Sequence, residues 1–245
     1  MPKMLRITSR EQFDRLIDHL AAEAARAGDH WYLWRGLDDA FDDYGKEINE
    51  TPQFWQLTFR AHKDSVVLRL GRLFDLTKGA LSLGNFLQTI HHHATKGALD
   101  SLGLDVPGLD TAATLEELKS VSQTDPLISR LMRVRNQYLA HRDVSLVSSG
   151  SFSSLPELRR EDIEMLLNRA SQIGDKYCQL YRRPIVSPRF VGADDYKHML
   201  RLLKLGLQPI EAEYAEETRR PSNEGGAADG QAAPAGERQV VSQPG

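Results

Sequence analysis

Apolar residues recur three or four positions apart along most of the chain, the spacing of one buried face on an α-helix. Ser9 and Gln12 read as a capping box, after which Phe13, Leu16, Ile17, Leu20 and Ala24 form a stripe that Gly28 closes. A second stripe, Trp31, Trp34, Leu37, Phe41, Tyr44 and Ile48, faces a run of acids. Thr51-Pro52 predicts an N-cap with proline at the first helical position. The helix it opens carries Phe54, Leu57, Ala61, Val67, Leu68, Leu70, Leu73, Phe74 and Leu76, with Gly79 as its stop. A shorter helix follows through Phe86, Leu87 and Ile90, then a Gly-, Asp- and Thr-rich connection over 97–114, then a helix through Leu115, Leu118 and Val121.

Asp125-Pro126 repeats the cap-plus-proline start and opens a helix through Leu127, Leu131, Val134, Tyr138 and Leu139. The Ser-rich stretch 144–156 reads as a loop or a short irregular strand pair. Helical spacing returns with Ile163, Leu166, Leu167, Ala170, Ile173, Tyr177 and Leu180 and ends before Pro184. A last helix, from about Ala193 to Glu217, is expected to kink or break at Pro209. No sequence repeat and no sustained alternation of apolar and polar residues interrupts this pattern. The fold class it predicts is all-α.

Composition sharpens the picture at the C-terminus. Pro221–Gly245 holds five Gly and three Pro and lacks Leu, Ile, Phe, Met, Trp and Tyr, so it offers too little apolar surface to offset the entropy of ordering. The expected organisation is one helical domain over 1–218 and a disordered tail over 219–245. The net charge of −3 excludes a polycation that coats nucleic acid by bulk charge, and the tail alone carries −2 of it. The one cysteine, Cys178, excludes an internal disulfide and a cysteine-based zinc site, and its place on an amphipathic helix gives it a packing role. No signal core and no membrane-length apolar run stands in the sequence, which predicts a cytoplasmic protein with no membrane partner.

Walker, GxGxxG, HExxH and GxSxG motifs are absent. The run His91-His92-His93 points its rings about 100° apart on a helix, so the three cannot share one metal and read as a helix end. Asp38, Asp39, Asp42, Asp43 and Glu47 could chelate a divalent cation, but they read more simply as a solvated helix face. The segment Pro126–Arg142 departs most from its surroundings. It carries Arg130, Arg133, Arg135 and Arg142 and not one acid.

Arg135, Asn136 and His141 in that segment bring three chemistries together. A histidine moves protons near neutral pH, an arginine binds phosphate oxygens by forked hydrogen bonds, and an asparagine orients a neighbour. That set suffices, without a metal, for attack of a ribose 2′-hydroxyl on the adjacent phosphate. Along one straight helix, however, Arg135 and His141 stand about 240° and about 9 Å apart. Either the helix unwinds near His141 or a second copy contributes across a dimer interface. The plainer alternative leaves the arginines solvated and lets His141 cap the helix C-terminus.

At this motif, RNQYLAHRD, the sequence resembles the HEPN superfamily, whose signature is an Arg, four to six residues and a His, with a polar residue commonly after the Arg. With the flanks FWQLTFRAHKDSVVLRLGRLFD and EDIEMLLNRASQIGDKYCQLY, the wider context is similar to the abortive-infection AbiU-type HEPN-like group over most of residues 30–205. The resemblance implies a HEPN-like helical bundle with additional N- and C-terminal helices that forms a homodimer and pairs two Arg…His motifs in a cleft. It implies a metal-independent endoribonuclease without cofactor, acting as a toxin or in anti-phage defence, with RNA as substrate and an antitoxin or other defence-system partner. Carried over, His141 is general base or acid, Arg135 stabilises charge on the phosphate, and Asn136 orients. Arg133, Tyr138 and Arg142 are the expected RNA contacts. Where many such toxins carry a modifiable tyrosine two residues after the His, this chain has Asp143, so that modification does not transfer. Some members have lost catalysis, which leaves a non-catalytic nucleotide- or partner-binding module as the alternative.

Overall fold

Ser9 opens the first helix by accepting the Gln12 backbone N–H at 3.2 Å. Gln12 completes only half of the expected box, because its side-chain oxygen turns to the Thr8 N–H at 2.9 Å instead of to Ser9. In the computed structural model, which describes residues 4–96, 104, 106–136, 157–184, 192 and 194–219, this helix is α1, Arg10–Asp39. Gly28 does not end it. Phe13, Ile17, Leu20, Ala24, Ala27 and Trp31 are buried at alternating spacings of four and three, and the series runs straight through Gly28. A glycine inside a helix costs about 1 kcal/mol against alanine, whereas burying a large apolar side chain returns about 1.5–3 kcal/mol. The packing of Trp31 therefore outweighs the glycine.

The second predicted stripe is divided. Its first half completes α1, the chain turns at Ala40, and the rest forms α2, Phe41–Glu50. Phe41 is left exposed, while Glu47, expected on the solvated face, is buried. Next comes α3, Pro52–Leu73, with Pro52 in its first turn. Thr51 supplies no side-chain cap, and the helix ends well before Gly79, which sits in the following turn with φ +82°. The remaining helices are α4, Leu83–Thr95; α5, Thr111–Ser120; α6, Pro126–Val134; α7, Arg160–Leu180; and α8, Asp195–Arg219. Asp110 caps α5 inside the stretch expected to be connection. Pro209 lies within α8 without ending it. Among the described residues every regular element is a helix.

The chain divides into two compact units, residues 1–204 and 205–245. In the first, α3 and α7 pack on α1. Phe13 of α1 stacks on Phe86 of α4 at 5.4 Å and meets Tyr181 edge-on at 4.6 Å, and Phe86 meets Tyr177 of α7 at 5.8 Å. Cys178 is buried among these helices, as expected of a packing residue. A smaller cluster joins Leu37, Ile48, Trp55 and Leu200. Of the second unit, the described part is the C-terminal half of α8. The tail expected from residue 219 lies, beyond Arg219, outside the described residues, as does the Ser-rich stretch 144–156.

The α1–α3 seam carries polar contacts besides its apolar packing, the ion pairs of Glu23 with Arg69 and Arg72 and a pair of histidines. His30 Nδ1 and His62 Nδ1 stand 2.9 Å apart, a distance that requires one ring to donate and the other to accept. Burial, then the charges of His62 and Arg69, hold His30 below its ordinary value against the pull of Glu23, and burial lowers His62. Both folded-state values lie below the unfolded 6.5, so in the window beneath 6.5 the unfolded chain binds more protons and stability falls with falling pH. Thermal unfolding followed between about pH 7 and about pH 5 should show this loss, and the His30→Gln/His62→Gln variant should flatten it. An unchanged slope in the variant would place the dependence elsewhere.

Candidate functional site

α6 begins at Asp125, whose Oδ1 accepts the N–H groups of Leu127 at 2.8 Å and Ile128 at 3.1 Å. The same carboxylate takes Arg169 of α7 at 3.0 Å. Leu127, Ile128, Leu131 and Met132 bury one face of the helix, which directs its arginines to the edges. Regular α geometry ends at Val134, and Arg135 and Asn136 continue in a wider, π-type turn.

Two of the four arginines that lack an acid in sequence have one in space. Arg130 pairs with Asp162 of α7 at 2.8 Å. Arg135 Nη1 pairs with Asp75 Oδ2 at 2.8 Å and also reaches the Gly71 carbonyl at 3.3 Å, while its Nε donates to Asn136 Oδ1 at 2.9 Å. Arg133 is exposed. The expectation of an unopposed arginine cluster is thus corrected, because the opposing acids arrive from α7 and from the end of α3, far away in sequence. Arg135 and Asn136 are brought together. Tyr138, His141, Arg142 and Asp143 lie outside the described residues.

Asp75 sits just past α3 and divides its two oxygens between two partners. Oδ2 faces Arg135, and Oδ1 accepts the Thr77 N–H at 2.9 Å and the Thr77 hydroxyl at 2.6 Å. Burial pushes the Asp75 carboxyl up, but the hydrogen bonds from Arg135 and Thr77 together with the arginine's charge outweigh it and hold the group below the ordinary carboxylate value. Asp75, Thr77 and Gly71 escaped the reading of the sequence. The Asp-x-Thr spacing is a legible turn signal, yet nothing local tells which arginine it serves. The His30–His62 pair escaped for the same reason.

The histidine run occupies the end of α4, as expected. Slight burial, then Lys96 and the neighbouring His93 and His91, lower the His92 imidazole. Among the described residues no three or more His, Cys, Asp or Glu side chains gather as metal ligands, and no helix is long and apolar enough to cross a membrane.

This helical bundle, with an arginine and its following asparagine held at the end of α6, has the make-up of a HEPN-type protein. The family model for the HEPN protein AbiU2 matches residues 10–202, and the chain belongs to that family. No curated protein and no solved structure matches it. Family membership makes the chain an abortive-infection-related HEPN module.

Gly71 makes room for the arginine, since a β-carbon there would overlap Arg135 Cδ. In open space, alanine for a helix-interior glycine stabilises by up to about 1 kcal/mol. Here the sign should reverse, with Gly71→Ala destabilising by about 1–3 kcal/mol through overpacking. Urea unfolding of the single and double variants checks the cause, because adding Arg135→Ala should recover part of the loss. Additive losses would mean that the two residues do not share this space.

Proposed function

We propose that this protein is a metal-independent endoribonuclease of HEPN type, a cytoplasmic toxin or anti-phage effector that works as a homodimer. The observation that carries the reading is Arg135, oriented by Asn136 at the end of α6 in a chain of the AbiU2 family. Its Nη2 has no hydrogen-bond partner among the described residues, and in this reading the two Nη2 N–H groups face the phosphate. In this reading the ribose 2′-oxygen attacks the adjacent phosphorus and the bond to the 5′-oxygen breaks. The two His141 imidazoles of the dimer divide the proton work. One takes the proton of the 2′-hydroxyl, and the other, already protonated, gives its own to the departing 5′-oxygen. Arg135 stabilises the charge that builds on the non-bridging oxygens. Arg133, Tyr138 and Arg142 contact the RNA, and the products are a 2′,3′-cyclic phosphate and a 5′-hydroxyl. A defence-system partner or antitoxin restrains the activity.

A non-catalytic HEPN-like binding module is favoured by one observation, the Arg135–Asp75 pair, which neutralises part of the charge a phosphate would meet. Incubation of purified protein with total RNA in EDTA separates the readings. Wild type should cleave, and His141→Ala should lose about 10²–10⁴-fold, the usual contribution of a general acid or base. Equal background from both proteins would favour the binding module, and cleavage abolished by EDTA would overturn the metal-independent mechanism.

A further inference from the structure

We infer that Asp75 is a positioning residue for Arg135, fixing one edge of the guanidinium so that the Nη2 edge is presented to a substrate phosphate; the inference rests on the nuclease reading above. The support behind Asp75 is what separates this pair from an ordinary surface ion pair. Phe74 and Leu76, on either side of it, are both buried, so the backbone that carries the carboxylate is anchored in the core. The Phe74 N–H closes the end of α3 on the Leu70 carbonyl at 3.0 Å. Thr77 holds the second carboxylate oxygen through its N–H and its hydroxyl. The turn containing Thr77 is tied in its own right, because the buried Asn85 of α4 donates to the carbonyls of Thr77 at 3.0 Å and Ala80 at 2.9 Å.

Contacts therefore run without a gap from α4 through the turn to Asp75 and on to Arg135. The pair itself is mostly shielded, each side chain being 18% exposed, whereas exposed pairs contribute little fixed geometry. Gly71 makes room for the arginine's aliphatic stem, and Asn136 takes Nε. Three donors are thereby committed and the remaining edge has one orientation. Reactive groups need such support, since a displacement of about 1 Å at a reacting group can cost about 100-fold in rate. A carboxylate is also the side chain this geometry requires. It offers one oxygen to Arg135 and the other to Thr77, whereas an amide has a single acceptor oxygen and must give up one of them.

The test compares wild type, Asp75→Asn and Asp75→Ala in RNA cleavage and in NMR of the Arg135 guanidinium. For wild type, slow rotation should give separate Nη proton signals. Asp75→Ala should merge them and lower kcat about 100-fold with KM little changed, and Asp75→Asn should fall between. Separate signals in Asp75→Ala, or an unchanged kcat in a variant that only melts earlier, would overturn the positioning role and leave a structural ion pair. If wild-type protein cleaves no RNA, the nuclease reading fails by itself, while the guanidinium signals still decide whether Asp75 fixes Arg135.

Discussion

The buried stripe of α1, from Phe13 to Trp31, is the constraint on which the rest of the structure depends. At about 1.5 Å per residue it is a rod of roughly 27 Å with one apolar face. The helices α3 and α7 lie on it, and Phe13 draws in α4 through Phe86. Because the stripe passes Gly28 without a break, the α1–α3 contact persists along the seam where His30 meets His62 and Glu23 meets Arg69 at 2.7 Å. That contact sets the course of α3, and the course of α3 sets where Gly71 and Asp75 emerge.

α6 is then fixed from both sides. Its apolar face goes into the core, Asp125 joins Arg169 and Arg130 joins Asp162 on the α7 side, and Arg135 joins Asp75 on the α3 side. These pairs differ in weight. Arg130 is 40% exposed and adds little beyond orientation, whereas Arg135 makes three hydrogen bonds, of which those to Asp75 and Gly71 are partly buried and that to Asn136 is exposed. Hydrogen bonds to charged groups are worth about 1.5–3 kcal/mol when the group is kept from water. Among the described arginines of the acid-free segment, the one that the HEPN motif singles out thus makes the most hydrogen bonds.

Those bonds bear on how one guanidinium can serve both structure and chemistry. Arginine has five donors in a rigid plane, so engaging Nη1 with Asp75 and Nε with Asn136 still leaves the two N–H groups of Nη2. A lysine at 135 would have a single ammonium, and the acid would compete directly with any phosphate for it. The planar fork lets a neutralising partner orient the charge without occupying all of it.

What the sequence by itself determined is the helical class, the buried stripe that opens α1 and several helix starts, because these follow from spacing and from residues such as Ser9, Asp125 and Pro126 acting on their immediate neighbours; the stripes it drew through Phe41, Phe54, Leu57 and Leu115 are exposed at those positions. It also carried the family, through the Arg135, Asn136 and His141 motif and its helical flanks. Helix ends were less legible. Gly28 and Gly79 both read as stops, yet a glycine's local cost is small beside the burial of Trp31, and α3 stops before Gly79 is reached. The partners of charged groups were not legible at all. Asp75 and Arg135 are 60 residues apart with α4, α5 and α6 between them, and nothing local to either names the other. Only the packing of α3 and α6 against a common core decided that the arginines of an acid-free segment would not stand alone.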